Sequence, residues 1–235
     1  MTLRRRANGN TESVDNYLKA IFTLGAPDGR RVTIKSLADQ LCVAPASVTN
    51  MLQKLAASAE PMVEYERHRG VMLSPTGRRR ALEVVRHHRL IETFLYEILD
   101  YPIEEIHAEA ERLEHFISER FEERIAAKLG DPKTDPHGHA IPTLEGEIAE
   151  ERSMLLTDVV EDGTFVIDSV SDRDAENLRL IEARGITRGA EMRVKRSKAT
   201  EGYSVSIGKS DVAFDVSREV ARDVRILPVM KPSAG

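Results

Sequence analysis

The stretch Thr33-Ile-Lys-Ser-Leu-Ala-Asp-Gln-Leu-Cys-Val-Ala-Pro45-Ala-Ser-Val-Thr-Asn-Met-Leu-Gln-Lys-Leu55 decides the fold of the N-terminal third. Thr33 can cap a short helix in which Ile34, Leu37, Ala38 and Leu41 recur at helical spacing and so turn to one side. Cys42 to Ala44 is a brief turn, and Pro45, whose fixed φ suits a first helical turn, opens a second helix running to about Ala57. Val48, Met51, Leu52 and Leu55 form its inner face, which leaves Ser47, Asn50, Gln53 and Lys54 outward. Small and polar residues are what a helix entering the DNA major groove displays.

Upstream, Val14, Tyr17, Leu18, Ile21 and Leu24 predict a helix over 11–24 behind a Thr11 or Ser13 cap, broken by Gly25-Ala-Pro-Asp-Gly-Arg30. Downstream, Met62 to Glu66 and Val71 to Leu73 alternate around His68-Arg69-Gly70, a small hairpin with Arg67 and Arg69 near its tip. A helix, a short helix, a turn, an outward-polar helix and a hairpin form a winged helix-turn-helix.

Charge supports this reading. Residues 1–90 carry 15 Lys and Arg against 8 Asp and Glu, a net +7, whereas residues 91–235 carry 19 against 31, a net −12. The overall charge of −5 therefore hides a basic third suited to a polyanion, since exposed charges act over only about 10 Å at ordinary salt. With 41% hydrophobic and 31% charged residues, the 235-residue chain has the composition of a globular protein and no apolar run near the roughly 20 residues of a membrane span. The basic start is followed by Thr11-Glu12-Ser13 rather than an apolar segment, so no signal peptide and a cytoplasmic location are expected. The single Cys42 permits neither an internal disulfide nor a cysteine-based zinc framework, and at the end of a small helix it is expected to be buried.

Beyond Ser74-Pro75 a long helix is predicted to about Leu99, with Arg78, Arg79 and Arg80 in its early turns within reach of phosphate. Asp100-Tyr101-Pro102 turns the chain, and Ile103 to Leu129 is again helical, with a break expected after Ser118. Two helices joined by a tight turn commonly supply a dimer surface, and a dimer suits DNA read as two half-sites. Residues 130–147 hold three prolines and three glycines and form a connector. Short alternating stretches at 165–170, 191–196, 203–207, 212–216 and 223–227, with one helix near 175–183, then suggest a small SH3-like barrel. The expected fold is mainly α with a small β part: a winged helix-turn-helix with a basic arm over 1–74, a helical metal-binding and dimerisation domain over 75–147, and an SH3-like β-barrel over 148–235.

His107, Glu111, Glu114 and His115 fall at offsets that share one side of a continuous helix, and His88 and Glu92 share a face of the helix before it. A single Glu or His on such helices ordinarily sits in water or pairs with an arginine such as Arg89 or Arg112. Two i, i+4 pairs and an adjacent Glu-His doublet point instead to a shared ion. Imidazole and carboxylate without thiolate suit Mn²⁺, Fe²⁺, Co²⁺ or Zn²⁺. His68, His87, His137 and His139 are expected at the surface or in loops.

The layout resembles the diphtheria toxin repressor (DtxR/MntR) family of metal-dependent transcriptional regulators over nearly the whole chain. The resemblance rests on Tyr17 to Leu24, Ser74-Pro-Thr-Gly-Arg78, His88-Arg-Leu-Ile-Glu92, His107 with Glu111-Arg-Leu-Glu114-His115, and Pro136-His-Gly138 with Ile141-Pro142. It implies a primary metal site of Glu111, Glu114 and His115 with Asn16 or Asp15, and an ancillary site of His88, Glu92 and His107 closed by Asp174 and Asn177, with Glu176 an alternative. A second carboxylate of the manganese branch falls on Lys19. DNA contacts implied are Ala44, Pro45, Ser47 and Asn50, with Arg67 and Arg69 on phosphate. The function implied is a homodimeric repressor of metal-homeostasis genes that binds operator DNA, has no membrane partner and takes Mn²⁺ as corepressor, with Fe²⁺ or another divalent ion as substitute. Rival readings are a winged-helix regulator answering to an organic ligand, a metallohydrolase and an architectural DNA-binding dimer. No His-Glu-x-x-His motif or nucleophile elbow supports the hydrolase.

Overall fold

The computed structural model describes residues 10–25, 31–150, 152–196, 202–210 and 212–229; the basic arm expected ahead of Asn10 and most of the loop expected at 25–30 lie outside them. The chain divides into two compact units, the first comprising 1–88, 111–124 and 141–148, the second 89–110, 125–140 and 149–235.

In the first unit, helices α1 (Asn10–Leu24), α2 (Ile34–Leu41) and α3 (Pro45–Ala56) precede the strands β1 (Val63–Glu66) and β2 (Gly70–Leu73). Thr33 accepts the Ser36 amide and caps α2. Cys42 ends that helix at φ 51° and is exposed rather than buried, because its role there is a left-handed backbone turn and not packing. Leu18, Leu37, Val48 and Leu52 are fully buried, each contributing about 1.5–3 kcal/mol by leaving water. The antiparallel register Val63↔Leu73 to Glu66↔Gly70 builds the wing, and Val32 and Val71 exchange both backbone hydrogen bonds at 2.8 and 2.9 Å. Gly70 stands at φ +96° with the Val32 carbonyl 2.4 Å from where a Cβ would lie, so only glycine fits this approach.

Helix α4 (Pro75–Leu99) starts where Ser74 Oγ accepts the Gly77 amide at 3.1 Å, and it is followed by α5 (Ile103–Leu113) and α6 (Glu119–Lys128). Each of these three helices gives residues to both units. The break expected after Ser118 instead occupies residues 114–118, and Ser118 caps α6 by accepting the Phe121 amide at 3.3 Å. Glu114 and His115 therefore lie in a turn beyond α5, off the single helical stripe.

The second unit carries β3 (Met154–Leu155), β4 (Gly163–Val170), α7 (Ala175–Ala183), β5 (Glu191–Arg196), β6 (Tyr203–Ile207), β7 (Phe214–Val216), α8 (Arg218–Ala221) and β8 (Val224–Pro228). All pairings are antiparallel in the order β3-β8-β4-β5-β6-β7, one strand more than expected. Among the described residues no pairing joins β3 to β7, so the sheet is not closed into a barrel. Ile167, Leu178, Ile186, Met192, Val205 and Ile226 form its core. No described helix is long and apolar enough to cross a membrane.

Candidate metal centres and nucleic-acid face

On α3 the structure separates the two faces as the spacing predicts: Val48, Leu52 and Leu55 are buried while Ser47, Asn50, Gln53 and Lys54 are exposed, together with Ala44 and Pro45 at its start. Arg67 is exposed at the wing tip, where His68 adopts φ 68°. Arg69 is exposed too, but its guanidinium donates to Glu66 at 2.8 Å. Ser47, Asn50, Gln53, Lys54, Arg67 and Arg69 thus offer exposed polar side chains on the basic third of the chain.

The first unit gathers a cluster of charged and imidazole groups between α1, α4 and residues 111–115. Glu114 has a fully buried side chain and accepts from His88 Nδ1 at 2.6 Å. Lys19 Nζ, also largely buried, donates to Glu111 Oε1 at 2.5 Å and to both carboxylate oxygens of Glu114 at 2.7 and 2.8 Å. His115 Nε2 meets Asn16 Oδ1 at 2.8 Å and lies 3.3 Å from Glu114 Oε1. Asp15, the other first-helix candidate, is buried in a two-pronged pair with Arg80, both contacts at 2.7 Å, and its Oδ2 lies 3.7 Å from His115 Nδ1. Burial alone would raise the Glu114 carboxyl, but the His88 hydrogen bond and the Lys19 ammonium hold it below its ordinary value. Asp15 is likewise lowered, by His115 and Arg80 against the effect of burial. His88, Glu111 and Glu114 could hold an ion. Yet the carboxylates that would bind it already face an ammonium, so this donor set does not fit a second cation while Lys19 remains in place.

His87, expected at the surface, is buried instead: its Nε2 meets Glu122 Oε2 at 3.0 Å, and Arg86 donates to the other oxygen at 2.5 Å. The Glu122 carboxylate offsets the cost of taking this imidazole out of water.

The second unit holds a different cluster. His107 Nδ1 lies 3.3 Å from Glu92 Oε1 and 3.3 Å from Asp172 Oδ2. Asp172 was not among the expected ligands. Asp174 instead caps α7 by accepting the Glu176 and Asn177 amides at 3.0 and 3.1 Å, and Asn177 donates to Asp223, so neither closes this cluster. Glu176 likewise sits in that capped first turn, exposed. Burial would lower the His107 imidazole, but the hydrogen bonds to Asp172 and Glu92 raise it to about 10. Asp172 is held well below the usual carboxylate range, because His107, with the charges of His139 and His137, outweighs its burial.

His137 was expected in solvent and is fully buried. Neither of its ring nitrogens has a hydrogen-bond partner among the described residues, and Nδ1 lies 3.9 Å from Asp172 Oδ2. The loop that carries it is pinned by Asp135, which accepts the His139 amide at 2.9 Å and faces His139 Nδ1 at 3.3 Å, and by Arg89, 3.6 Å from the same carboxylate. Asp135, His137 and His139 bring ligand atoms close enough to share an ion. Their occurrence at every second position was the signal available in the sequence. A buried imidazole with two unpartnered nitrogens is costly unless a ligand satisfies it, and with carboxylates beside it this donor set fits a divalent cation.

Comparison with known proteins divides the chain in three. Residues 10–71 match the family described as "Iron dependent repressor, N-terminal DNA binding domain", residues 74–143 "Iron dependent repressor, metal binding and dimerisation domain", and residues 154–228 "FeoA domain". The iron-dependent repressor IdeR of Mycobacterium leprae (strain TN) is 26% identical over 231 residues, covering 93% of this chain and 98% of its own. A solved manganese-dependent transcriptional repressor in complex with manganese is 34% identical with a TM-score of 0.83, over 92% of this chain and 100% of that one. The structure of ScaR with bound Zn²⁺ is 31% identical with a TM-score of 0.79, over 92% and 99%.

Proposed function

Because the chain belongs to the DtxR/IdeR family of metal-dependent transcriptional repressors, we propose that it is a homodimeric repressor whose grip on operator DNA depends on a divalent ion held by the cluster around His137. The observation that carries this reading is His137 itself, buried beside Asp172 with both ring nitrogens unpartnered among the described residues. Asp135, His137 and His139 are one set of residues that would hold the ion, and Glu92, His107 and Asp172, whose ligand atoms also lie close together, are the neighbouring set. A bound ion would supply the positive charge that lets these carboxylates approach one another. Oxygen and imidazole donors without thiolate favour Mn²⁺ or Fe²⁺, with other divalent ions able to substitute.

The polar surface of α3 reads base edges through Ser47 and Asn50, and Arg67 neutralises phosphate from the wing. Leu113, Phe116 and Phe121 in the first unit, and Tyr96, Ile98 and Leu99 in the second, are large apolar side chains left exposed, as a dimer surface requires. An ion can favour DNA binding only through its preference for the DNA-binding arrangement, so DNA must tighten ion binding in return. The role is regulatory rather than catalytic and belongs in the cytoplasm with the DNA.

The test is a titration of Mn²⁺ and Fe²⁺, under anaerobic conditions, against a duplex that the protein itself selects from a random library. Chelator should abolish binding, and Glu92→Gln or Asp172→Asn should remove the metal dependence. Equal binding in excess chelator would refute the proposal.

A further inference from the structure

The first cluster does not ask for the same ion as the second. Lys19 has three ammonium protons and three carboxylate oxygens around it: Glu111 Oε1 at 2.5 Å and the two oxygens of Glu114 at 2.7 and 2.8 Å. An ammonium so placed has satisfied its whole donor capacity with charge-assisted bonds. The pair is no loose surface contact, since the Lys19 side chain is 15% exposed and that of Glu114 is 0% exposed. The neighbouring groups are engaged in the same arrangement: His88 Nδ1 donates to Glu114 Oε2, His115 Nε2 meets Asn16, and the Asp15 carboxylate is bound by Arg80. A divalent ion entering here would have to displace a tethered cation from the oxygens it needs.

We infer that the ammonium of Lys19 stands in the place of a divalent ion in the first cluster, fastening α1 to residues 111–115 without metal and leaving the metal response to the second cluster alone. The inference rests on the reading of the chain as a metal-responsive repressor. It adds that one of the potential ion sites is closed by the chain itself. Lysine is suited to this because its compact charge sits on a flexible stem and can enter a pocket sized for an ion. The fastening is permanent, so α1 is held at every metal concentration.

The experiment counts Mn²⁺ bound per chain at saturation, by equilibrium dialysis with elemental analysis, on the full-length protein and its variants. Glu111→Gln should leave the wild-type stoichiometry unchanged, whereas Lys19→Asp should raise it by one ion per chain. Adding Glu111→Gln to Lys19→Asp should weaken that additional ion at least tenfold. A fall in stoichiometry on Glu111→Gln in the wild-type background overturns the inference, as does a folded Lys19→Asp protein that gains no ion. Should Lys19→Asp fail to fold, the Glu111→Gln comparison decides alone, because that substitution keeps the shape of a side chain already partly in solvent. If Glu92→Gln leaves the stoichiometry untouched, the reading of the second cluster falls separately, and the Lys19 result still stands on its own comparison.

Discussion

Replacing Arg80 with methionine tests how firmly α1 is held in the first unit. Arg80 binds Asp15 through Nε and Nη2, both at 2.7 Å, and the Asp15 side chain is only 3% exposed. Methionine keeps most of the apolar stem and the helix propensity, so the chief loss is the charge and its hydrogen bonds. Removing one partner of a buried pair costs about 3–5 kcal/mol, since the remaining charge stays buried without compensation. Arg80 is one-fifth exposed and His115 stays near Asp15, which places the expected loss at the low end, about 3 kcal/mol. At 1.4 kcal/mol per tenfold, amide hydrogens of α1 should exchange roughly a hundredfold faster by sub-global opening. Asp15→Asn with Arg80→Met should recover most of this, leaving a coupling of about 2 kcal/mol. The pH dependence has a definite sign. A carboxyl lowered in the folded state contributes stability that is whole above the unfolded value and is lost as pH falls through the folded one, below 3.8 for Asp15. The penalty of Arg80→Met should therefore shrink in that acid range. An α1 exchange rate raised less than about threefold, or a double variant whose losses simply add, refutes the account.

Three further outcomes are expected. Glu122 is lowered by His87 and Arg86 against its burial, so its contribution should be complete above its unfolded value near 4.5 and fade as pH falls through the folded one; Glu122→Gln should flatten that acid limb in thermal melts. Gly138 stands at φ +99° with the Asp168 carbonyl 2.1 Å from where a Cβ would lie, so Gly138→Ala should cost about 1–3 kcal/mol and weaken Mn²⁺ binding by shifting His137, as calorimetry would show. On the wing, Arg67→Ala should lower the salt slope of DNA binding by about 1, whereas Arg69→Ala should lower it less, because Arg69 must first give up Glu66.

The elements that show in the sequence are those whose signals are local. Thr33, Pro45 and Ser74 mark helix starts by rules of capping and fixed φ, and the structure has them in those roles. The burial pattern of α3 follows directly from its spacing. What spacing could not show is where a helix-favouring run stops: Glu111 to Ser118 contains no glycine or proline, and the turn at 114–118 has only the Ser118 cap as a local mark. His107 consequently goes to one cluster while Glu111, Glu114 and His115 go to the other, although all four would share a stripe on an unbroken helix.

The choice of Asp172 over Asp174 was within reach of the same local rules. With Ala175 opening α7, Asp174 falls on the capping position and is committed to the Glu176 and Asn177 amides, which leaves the aspartate two residues earlier free for other work. Lys19 offers no clue in spacing or capping, since its partners lie 92 and 95 residues away in sequence, and only the resemblance, which puts a family carboxylate at this position, marks it. A lysine on an amphipathic helix is ordinarily a solvated charge, and only the fold reveals that this one ends between a buried carboxylate, Glu114, and a half-buried one, Glu111. That asymmetry bears on how such repressors are to be read: ligand-type residues alone indicate where an ion could bind, and the count of ions is set by whether a cation from elsewhere in the chain already occupies the oxygens.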